Sequence, residues 1–161
     1  MWWFWLLLAI SGLFALGAIL GAPYVPILRK SSDDLFDIID LKPGATIIDL
    51  GSGDGAFALQ AAKRGYAVIG YEINPILVIV ARIRTFKYRK RVTIRLRDFW
   101  HVPLPEADAI YVFLIDRYMQ KLSDKLQRDL NKPTLVMSHV FKLPNMKPIK
   151  ENQNTYFYTI G

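Results

Sequence analysis

The sequence contains no cysteine and only two histidines, His101 and His139, in 161 residues. Disulfide bonds and thiolate metal sites are therefore excluded, and two imidazoles are too few for the usual zinc site, so we expect no metal. The length fits one domain with a core of its own. The formal net charge of +7 favours an anionic partner, either a lipid surface or a nucleic acid.

Charge is also absent from the start of the chain, where no charged side chain precedes Arg29. Residues 1–22 are predicted to form a transmembrane helix, because a span needs roughly 20 apolar residues to cross about 30 Å of hydrocarbon. Arg29 and Lys30 follow this segment, so the positive-inside rule puts the rest of the chain in the cytoplasm or an equivalent matrix compartment. A cleaved signal peptide is the alternative, but it favours a basic start and a shorter apolar core.

Beyond this predicted single-pass anchor, strand and helix patterns alternate. The alternation predicts a Rossmann-like α/β domain over residues 45–161, with a mostly parallel sheet and helices on both faces. Residues 23–44 are expected to form a linker and a short helix that precede the domain. The predicted strands are 45–50, 67–71, 91–97, 109–115, 134–141 and 155–160, and the predicted helices are 56–64, 75–85 and 119–130.

A glycine-rich motif, DLGSGDG at residues 49–55, directly follows the first predicted strand. Such a turn before a helix lets backbone N–H groups approach a ligand. Dinucleotide enzymes favour the spacing GxGxxG around a diphosphate, whereas this chain has GxGxG and an acid, Asp49, two residues before Gly51. A carboxylate there would repel a diphosphate and attract a cation. The motif therefore predicts S-adenosyl-L-methionine as the cofactor, since it carries an ammonium and a sulfonium.

Two further acids lie at the ends of the next predicted strands. Glu72 is expected to accept hydrogen bonds from two ribose hydroxyls, by the same logic as in dinucleotide folds. Asp98 is expected to accept from an adenine amino group, with Phe99 or Trp100 stacking on the ring. Each acid alone has an ordinary alternative as a solvated strand end. Three acids at three successive strand ends favour the cofactor site.

Several segments together resemble a known family, the small class I methyltransferases that modify protein lysines. This family includes archaeal broad-specificity enzymes and a membrane-anchored mitochondrial enzyme that acts on the c-ring protein of ATP synthase. The resemblance covers residues 22–161, and its more specific parts are PYVP at 23–26 and SHVF at 138–141. The remaining segments are DLGSGDG at 49–55, EIN at 72–74, RDFW at 97–100 and YFYTIG at 156–161.

The resemblance implies roles for individual residues. The implied cofactor-binding residues are Asp49, Gly51, Ser52, Gly53, Glu72, Ile73, Asp98 and Phe99. Tyr24 would line the entrance for a lysine side chain, although interfacial anchoring is an equal alternative for this tyrosine. No Asn/Asp-Pro-Pro-Tyr motif follows the fourth predicted strand, which counts against amide and base amino groups as acceptors.

Methyl transfer to an amine requires little acid–base chemistry, because the enzyme mainly positions the reactants. The lysine must lose its proton, and desolvation beside a cation favours that loss. Asp116, at the end of the fourth predicted strand, is the candidate group to orient the ammonium and accept its proton. A helix cap is the alternative role for Asp116, since aspartate is favoured at that position.

A dense basic cluster occupies residues 82–97, which contain no acid. Attraction to anionic lipid would press the domain onto the bilayer and favour lysines of membrane proteins as substrates. An RNA footprint is the competing idea, but few aromatic residues are interleaved to stack bases, so a nucleic acid partner is not expected. Three functions remain open: a membrane-anchored protein-lysine methyltransferase, an RNA or small-molecule methyltransferase, and a non-catalytic membrane adaptor.

Overall fold

The computed structural model describes residues 1–8, 11–12 and 35–161. Residues 2–8 are helical. Most of the predicted anchor, together with Tyr24 and nearly all of the predicted linker, lies outside the described residues. Within those three ranges, no helix has the length and apolar character needed to cross a membrane. The predicted division at residues 22 and 44 therefore stays a prediction.

The domain is built on one seven-stranded sheet with the order β3-β2-β1-β4-β5-β7-β6. Strands β1 to β5 are parallel where they pair, and β7 lies antiparallel between β5 and β6. The strands are Thr46–Leu50 (β1), Ala67–Glu72 (β2), Val92–Leu96 (β3), Ala109–Val112 (β4), Thr134–His139 (β5), Lys150–Asn152 (β6) and Thr155–Ile160 (β7). The helices are Ala56–Lys63 (α1), Pro75–Thr85 (α2) and Met119–Asp129 (α3), with 3₁₀ turns at Phe86–Tyr88, Phe99–His101 and Asp116–Tyr118.

Two apolar layers cover the two faces of the sheet, which confirms the predicted α/β architecture with helices on both sides. On one face Phe57 of α1 stacks on Tyr111 of β4, with ring centroids 3.8 Å apart. Phe36 stacks on Phe57 in turn, so the residues before β1 close this layer. On the other face α3 buries Leu122 and Leu126. Burying one such side chain contributes about 1.5–3 kcal/mol, so both layers are needed for a stable sheet.

The carboxyl ends of β4 and β5 differ from the prediction. Strand β4 ends at Val112, three residues before the predicted end at 115. Strand β5 ends at His139 because Val140 adopts a φ of +73°, which a β-branched residue rarely does, and leaves the ladder. The backbone N–H of Val140 donates instead to the carbonyl of Asn154, at 2.6 Å. The chain therefore bends away from the sheet at both positions.

The hairpin of β6 and β7 was only half predicted, since β6 is missing from the sequence-based assignment. Gln153 and Asn154 form its turn, both with positive φ values. Asparagine tolerates this conformation better than most residues, so the Gln-Asn pair was the available signal. Strand β6 has only three residues and little apolar character, which hid it from a periodicity search.

Helix α3 carries an unpredicted buried ion pair on its apolar face. The ammonium of Lys125 bonds the carboxylate of Asp129 and the carbonyl of Val102, the latter at 2.8 Å. Both side chains are almost fully enclosed. Asp129 also accepts from the backbone N–H of Leu104, so the pair joins α3 to the loop after β3.

We predict that Asp129→Ala lowers the free energy of unfolding by about 3 kcal/mol, because it leaves the Lys125 ammonium buried without a counter-charge. Denaturant titration of the detergent-solubilised chain measures this loss. Lys132→Ala is the control, since it breaks an exposed ion pair with Glu106 and is expected to change stability little. Equal losses in the two variants would mean that the Lys125 pair is no more than a surface contact.

Candidate cofactor and acceptor site

The site lies at the carboxyl edge of the sheet, where the strand order reverses. β1 pairs with β2 on one side and with β4 on the other. In open α/β sheets ligands bind in the crevice outside the carboxyl ends of strands at such a switch point. Asp49, Glu72, Asp98 and Asp116 lie at or just beyond the ends of β1, β2, β3 and β4. The fold thus brings all four predicted acids to one edge.

The glycine turn after β1 is tied down by backbone hydrogen bonds to β2. The N–H groups of Gly51 and Ser52 both donate to the carbonyl of Tyr71, at 3.0 and 2.9 Å. Ser52 is buried, and a Cβ on Gly70 would overlap its hydroxyl oxygen. Gly55, with a φ of +77°, lets α2 approach closely, since a Cβ there would lie 2.9 Å from that of Ala81. These contacts explain why the turn needs glycine on the strand as well as in the loop.

The carboxyl group of Asp49 is buried inside this turn. Its Oδ2 atom has no hydrogen-bond partner among the described residues. Burial, with smaller contributions from the charges of Glu72 and Asp54, raises the pKa of Asp49 to about 8 from an ordinary value of 3.8. A buried carboxyl without a partner is costly, and such groups mark functional sites. A ligand ammonium would supply both the missing hydrogen bond and the missing charge, so Asp49 fits the cationic end of S-adenosyl-L-methionine.

Glu72 organises the same turn through three backbone amides. One carboxylate oxygen accepts from the N–H of Gly53 at 2.9 Å. The other accepts from Ile73 at 2.9 Å and from Asn74 at 2.8 Å. A carboxylate has about four lone-pair positions, so one remains for a ribose hydroxyl. The predicted contact with two hydroxyls stays a prediction, and it would require one amide bond to share or give way.

Asp98 and the aromatic pair after β3 form the third part of the site. Asp98 accepts from the N–H of Trp100 at 2.9 Å and lies 2.8 Å from Nδ1 of His101. Phe99 packs in the core, whereas Trp100 is half-buried, with the ring centroids 4.4 Å apart. The ammonium of Lys121 lies 4.5 Å from the centre of the Trp100 ring. Of the two predicted stacking residues, Trp100 therefore has the more accessible ring.

Asp116 lies on the acceptor side, after β4. It is exposed, it begins the 3₁₀ turn, and its side chain caps neither that turn nor α3. The helix-cap alternative for Asp116 is therefore not observed. No other described residue forms a hydrogen bond or ion pair with its carboxylate in the structure. Asp116 remains available for an incoming amine, and its catalytic role stays a prediction.

His139 faces the same region from the end of β5. Its ring lies edge-on to Phe113, with centroids 5.2 Å apart, and its Nδ1 lies 2.9 Å from the hydroxyl of Thr155. Burial lowers the pKa of His139, so the ring is neutral at neutral pH. Phe113 was not singled out from the sequence. Its aromatic side chain, in an apolar strand, gave no signal that distinguished it from a core residue.

Comparison with known proteins identifies the family. The profile described as ANTKMT methyltransferase domain matches residues 49–150. The chain belongs to this family. Mouse adenine nucleotide translocase lysine N-methyltransferase is 34% identical over 148 residues, covering 90% of this chain and 64% of the mouse protein. The human lysine N-methyltransferase of the ATP synthase c-ring protein is 30% identical over 128 residues, covering 78% of this chain and 54% of the human protein.

Two other comparisons extend across nearly the whole length of the matched protein. A protein-lysine N-methyltransferase of Saccharolobus islandicus is 31% identical over 152 residues, covering 86% of this chain and 94% of that protein. The crystal structure of an RNA methyltransferase from Salinibacter ruber, in complex with S-adenosyl-L-homocysteine, superposes with a TM-score of 0.77 at 29% identity. It covers 84% of this chain and 94% of the Salinibacter chain. By contrast, the chain spans only 54% to 64% of the human and mouse relatives.

These findings confirm three predictions: the class I methyltransferase fold, the resemblance to protein-lysine methyltransferases, and S-adenosyl-L-methionine as the cofactor. The family match begins at Asp49 and contains every predicted cofactor residue. The roles of the individual site residues remain predictions, which their geometry now makes specific.

We predict that Asp49→Asn stabilises the cofactor-free protein near neutral pH. With a raised pKa, folded Asp49 binds more protons than unfolded Asp49 between about pH 4 and pH 8, so its contribution to stability falls as pH rises across that window. The advantage of the variant should be small at about pH 4 and reach about 1–3 kcal/mol at about pH 8. Paired unfolding titrations measure it. A pH-independent difference would mean that Asp49 ionises normally.

Proposed function

We propose that this protein is a membrane-anchored methyltransferase that moves a methyl group from S-adenosyl-L-methionine to the side-chain amine of a protein lysine. The observation that carries the proposal is the buried Asp49 carboxyl, which has an unpartnered oxygen beside a glycine turn. Only a cationic ligand satisfies this group without loss, and the required geometry is that of the family's cofactor site. The acids after β2 and β3 supply further acceptors along the same edge.

A lysine side chain of a protein is the acceptor best supported. The relatives that align with this chain are named as methyltransferases of lysines in the ATP synthase c-ring protein, in the adenine nucleotide translocase and in archaeal proteins. The sequence also lacks the Asn/Asp-Pro-Pro-Tyr motif of enzymes that modify planar nitrogens. RNA is the second candidate acceptor, because the Salinibacter structure is described as an RNA methyltransferase.

The cofactor, when bound, supplies a methyl group on a positively charged sulfur, which an uncharged amine displaces in line. Asp49 accepts hydrogen bonds from an ammonium at its Oδ2 atom and neutralises the charge. The amide bonds of Glu72 keep the turn in place, so that no reorganisation is needed on binding. Phe113 and His139 exclude water from the acceptor side, which lowers the pKa of an incoming lysine. The carboxylate of Asp116 accepts the proton that leaves the lysine nitrogen.

The uncharged segment at residues 1–22 supports a single-pass anchor, with the catalytic domain on the cytoplasmic or matrix-equivalent side. The basic residues that follow it, Arg29 and Lys30, are the basis for this orientation. A membrane protein with an accessible lysine would then be within reach of the site. This agrees with the membrane proteins named in the two animal relatives.

The decisive experiment is transfer of labelled methyl groups to membranes from cells that lack this protein, with the labelled residue identified after hydrolysis. We expect methyl-lysine from the unchanged chain. Asp49→Ala should lower cofactor affinity tenfold or more, since it removes a charged hydrogen bond worth at least about 1.4 kcal/mol. Asp116→Asn should lower kcat about tenfold or more with little change in cofactor affinity.

The same experiment distinguishes the alternatives. Label released by nuclease, with no methyl-lysine, would make RNA the substrate. Cofactor binding without any labelled product would favour a non-catalytic adaptor. Equal activity of Asp116→Asn and the unchanged chain would remove Asp116 from the mechanism and leave desolvation as the source of the uncharged amine.

We further predict that cofactor binding at about pH 6.5 releases close to one proton from Asp49, because a ligand ammonium lowers the raised pKa of this carboxyl. Calorimetry in buffers of different ionisation enthalpy measures the release. The difference between the unchanged chain and Asp49→Asn isolates it from protons of the cofactor itself. An identical proton balance in the two proteins would place the ammonium elsewhere.

A further inference from the structure

Helix α2 is apolar on its outward face as well as on its buried face. Leu77, Val78 and Ala81 pack into the core, as expected of a crossover helix. Yet Ile79, Ile83 and Phe86, spaced for one helical face, are 58%, 71% and 63% exposed. Scattered exposed apolar residues are ordinary, but a continuous stripe on one helix marks an interaction site.

The stripe continues onto the neighbouring edge strand. Leu96 of β3 is 52% exposed, and β3 has a neighbour only on the β2 side. The guanidinium of Arg82 donates two hydrogen bonds to the carbonyl of Ile94, at 2.8 and 3.2 Å. This contact covers part of the edge and opposes pairing with a strand of another chain. The surface is therefore poorly suited to a β-strand partner.

Basic side chains surround these apolar ones. We call the whole surface the α2–β3 face, defined by Ile79, Ile83, Phe86 and Leu96 with the basic residues Arg82, Arg84, Lys87, Arg89, Lys90, Arg91, Arg95 and Arg97. Within the described part of the chain, only Arg84 has a carboxylate partner, Asp54. The guanidinium of Arg89 lies 4.8 Å from the centre of the Phe86 ring, so charge and apolar surface are in direct contact.

We propose that the α2–β3 face docks on an anionic lipid surface, with Ile83 and Phe86 entering the boundary between headgroups and acyl chains. Uncompensated positive charge is complementary to anionic headgroups, and each basic side chain near such a surface strengthens binding about fivefold. Exposed apolar residues between the charges gain by entering that boundary, as in amphipathic helices that lie on membranes. Neither contribution alone distinguishes lipid from other partners, but their combination on one helix does.

RNA and protein partners fit this face less well. Binding of single-stranded RNA uses aromatic rings on which bases stack, and the exposed side chains of the stripe are aliphatic except for Phe86. A second copy of the chain would bring two strongly positive surfaces together, which like-charge repulsion opposes. Lipid is the occupant that accepts both the aliphatic stripe and the charge.

Docking through this face adds an orientation to the proposed function without depending on methyl transfer. Helix α2 begins after Glu72 at the carboxyl edge of the sheet and runs back toward the amino edge. With α2 and β3 against the bilayer, the sheet stands with its β3 edge toward the lipid. The cofactor edge then opens along the membrane surface rather than away from it.

The absence of cysteine allows a direct test with single labels in the full chain. An environment-sensitive fluorophore is attached at Ile83→Cys in one protein and at Ile149→Cys in another. Ile149 is 66% exposed and precedes β6 at the opposite edge of the sheet, so it is a matched control. Both proteins are reconstituted in vesicles of phosphatidylcholine alone or mixed with phosphatidylglycerol, with a quencher on the acyl chains.

We expect quenching of the Ile83 label in anionic vesicles at least about fivefold greater than in neutral ones, and none at Ile149. Lys87→Glu combined with Lys90→Glu should abolish it. Lys147→Glu combined with Lys150→Glu makes the same change of charge near β6 and should leave it intact. Unchanged methyl transfer to a soluble peptide by the first pair would separate docking from catalysis.

Four outcomes would overturn the proposal. An Ile83 label that stays unquenched in anionic vesicles excludes insertion, and equal quenching at Ile149 excludes a specific face. A response to single-stranded RNA without vesicles assigns the face to RNA. An apolar environment in lipid-free detergent assigns it to a second copy if it depends on protein concentration, and to another segment of this chain if it does not.

Discussion

The arrangement of the site depends on one carboxylate, that of Glu72. Its two oxygens accept hydrogen bonds from the amides of Gly53, Ile73 and Asn74, and so join the glycine turn to the start of α2. The side chain of Asn74 then caps that helix by accepting from Ile76. Because the same residue ends β2, the turn, the strand and the helix are held in one rigid unit. Asp49 is positioned inside this unit rather than by contacts of its own.

This rigidity has an energetic cost that the cofactor would offset. Asp49 is buried with an unpartnered oxygen, and the nearby charges of Glu72 and Asp54 raise its pKa further. A core optimised for stability alone would place an apolar or amide side chain there. The cost persists because the surrounding hydrogen bonds over-determine the position. Binding energy from a cationic ligand is thereby directed to the one group that lacks a partner.

Much of the architecture was predictable, because period-two and period-3.6 patterns are strong in β1 to β5 and in the three helices. The acids Asp49, Glu72 and Asp98 were also found from position alone, since carboxyl ends of parallel strands meet at one edge. The failures have physical causes. Strand β6 is too short and polar to show a period, and the bend at Val140 depends on a hydrogen bond to Asn154, distant in sequence. The buried Lys125 looked like an ordinary surface lysine.

Local periodicity and residue type were enough to establish the class of fold, the edge that holds the site and the charge of the ligand, because none of these depends on distant contacts. Which atoms are free is a property of the folded chain. Only folding shows that Glu72 uses its lone pairs on amides, that Trp100 rather than Phe99 keeps an accessible ring, and that Asp116 caps no helix. Folding also turns Ile79, Ile83 and Phe86 outward, since an apolar residue carries no mark of which surface will cover it.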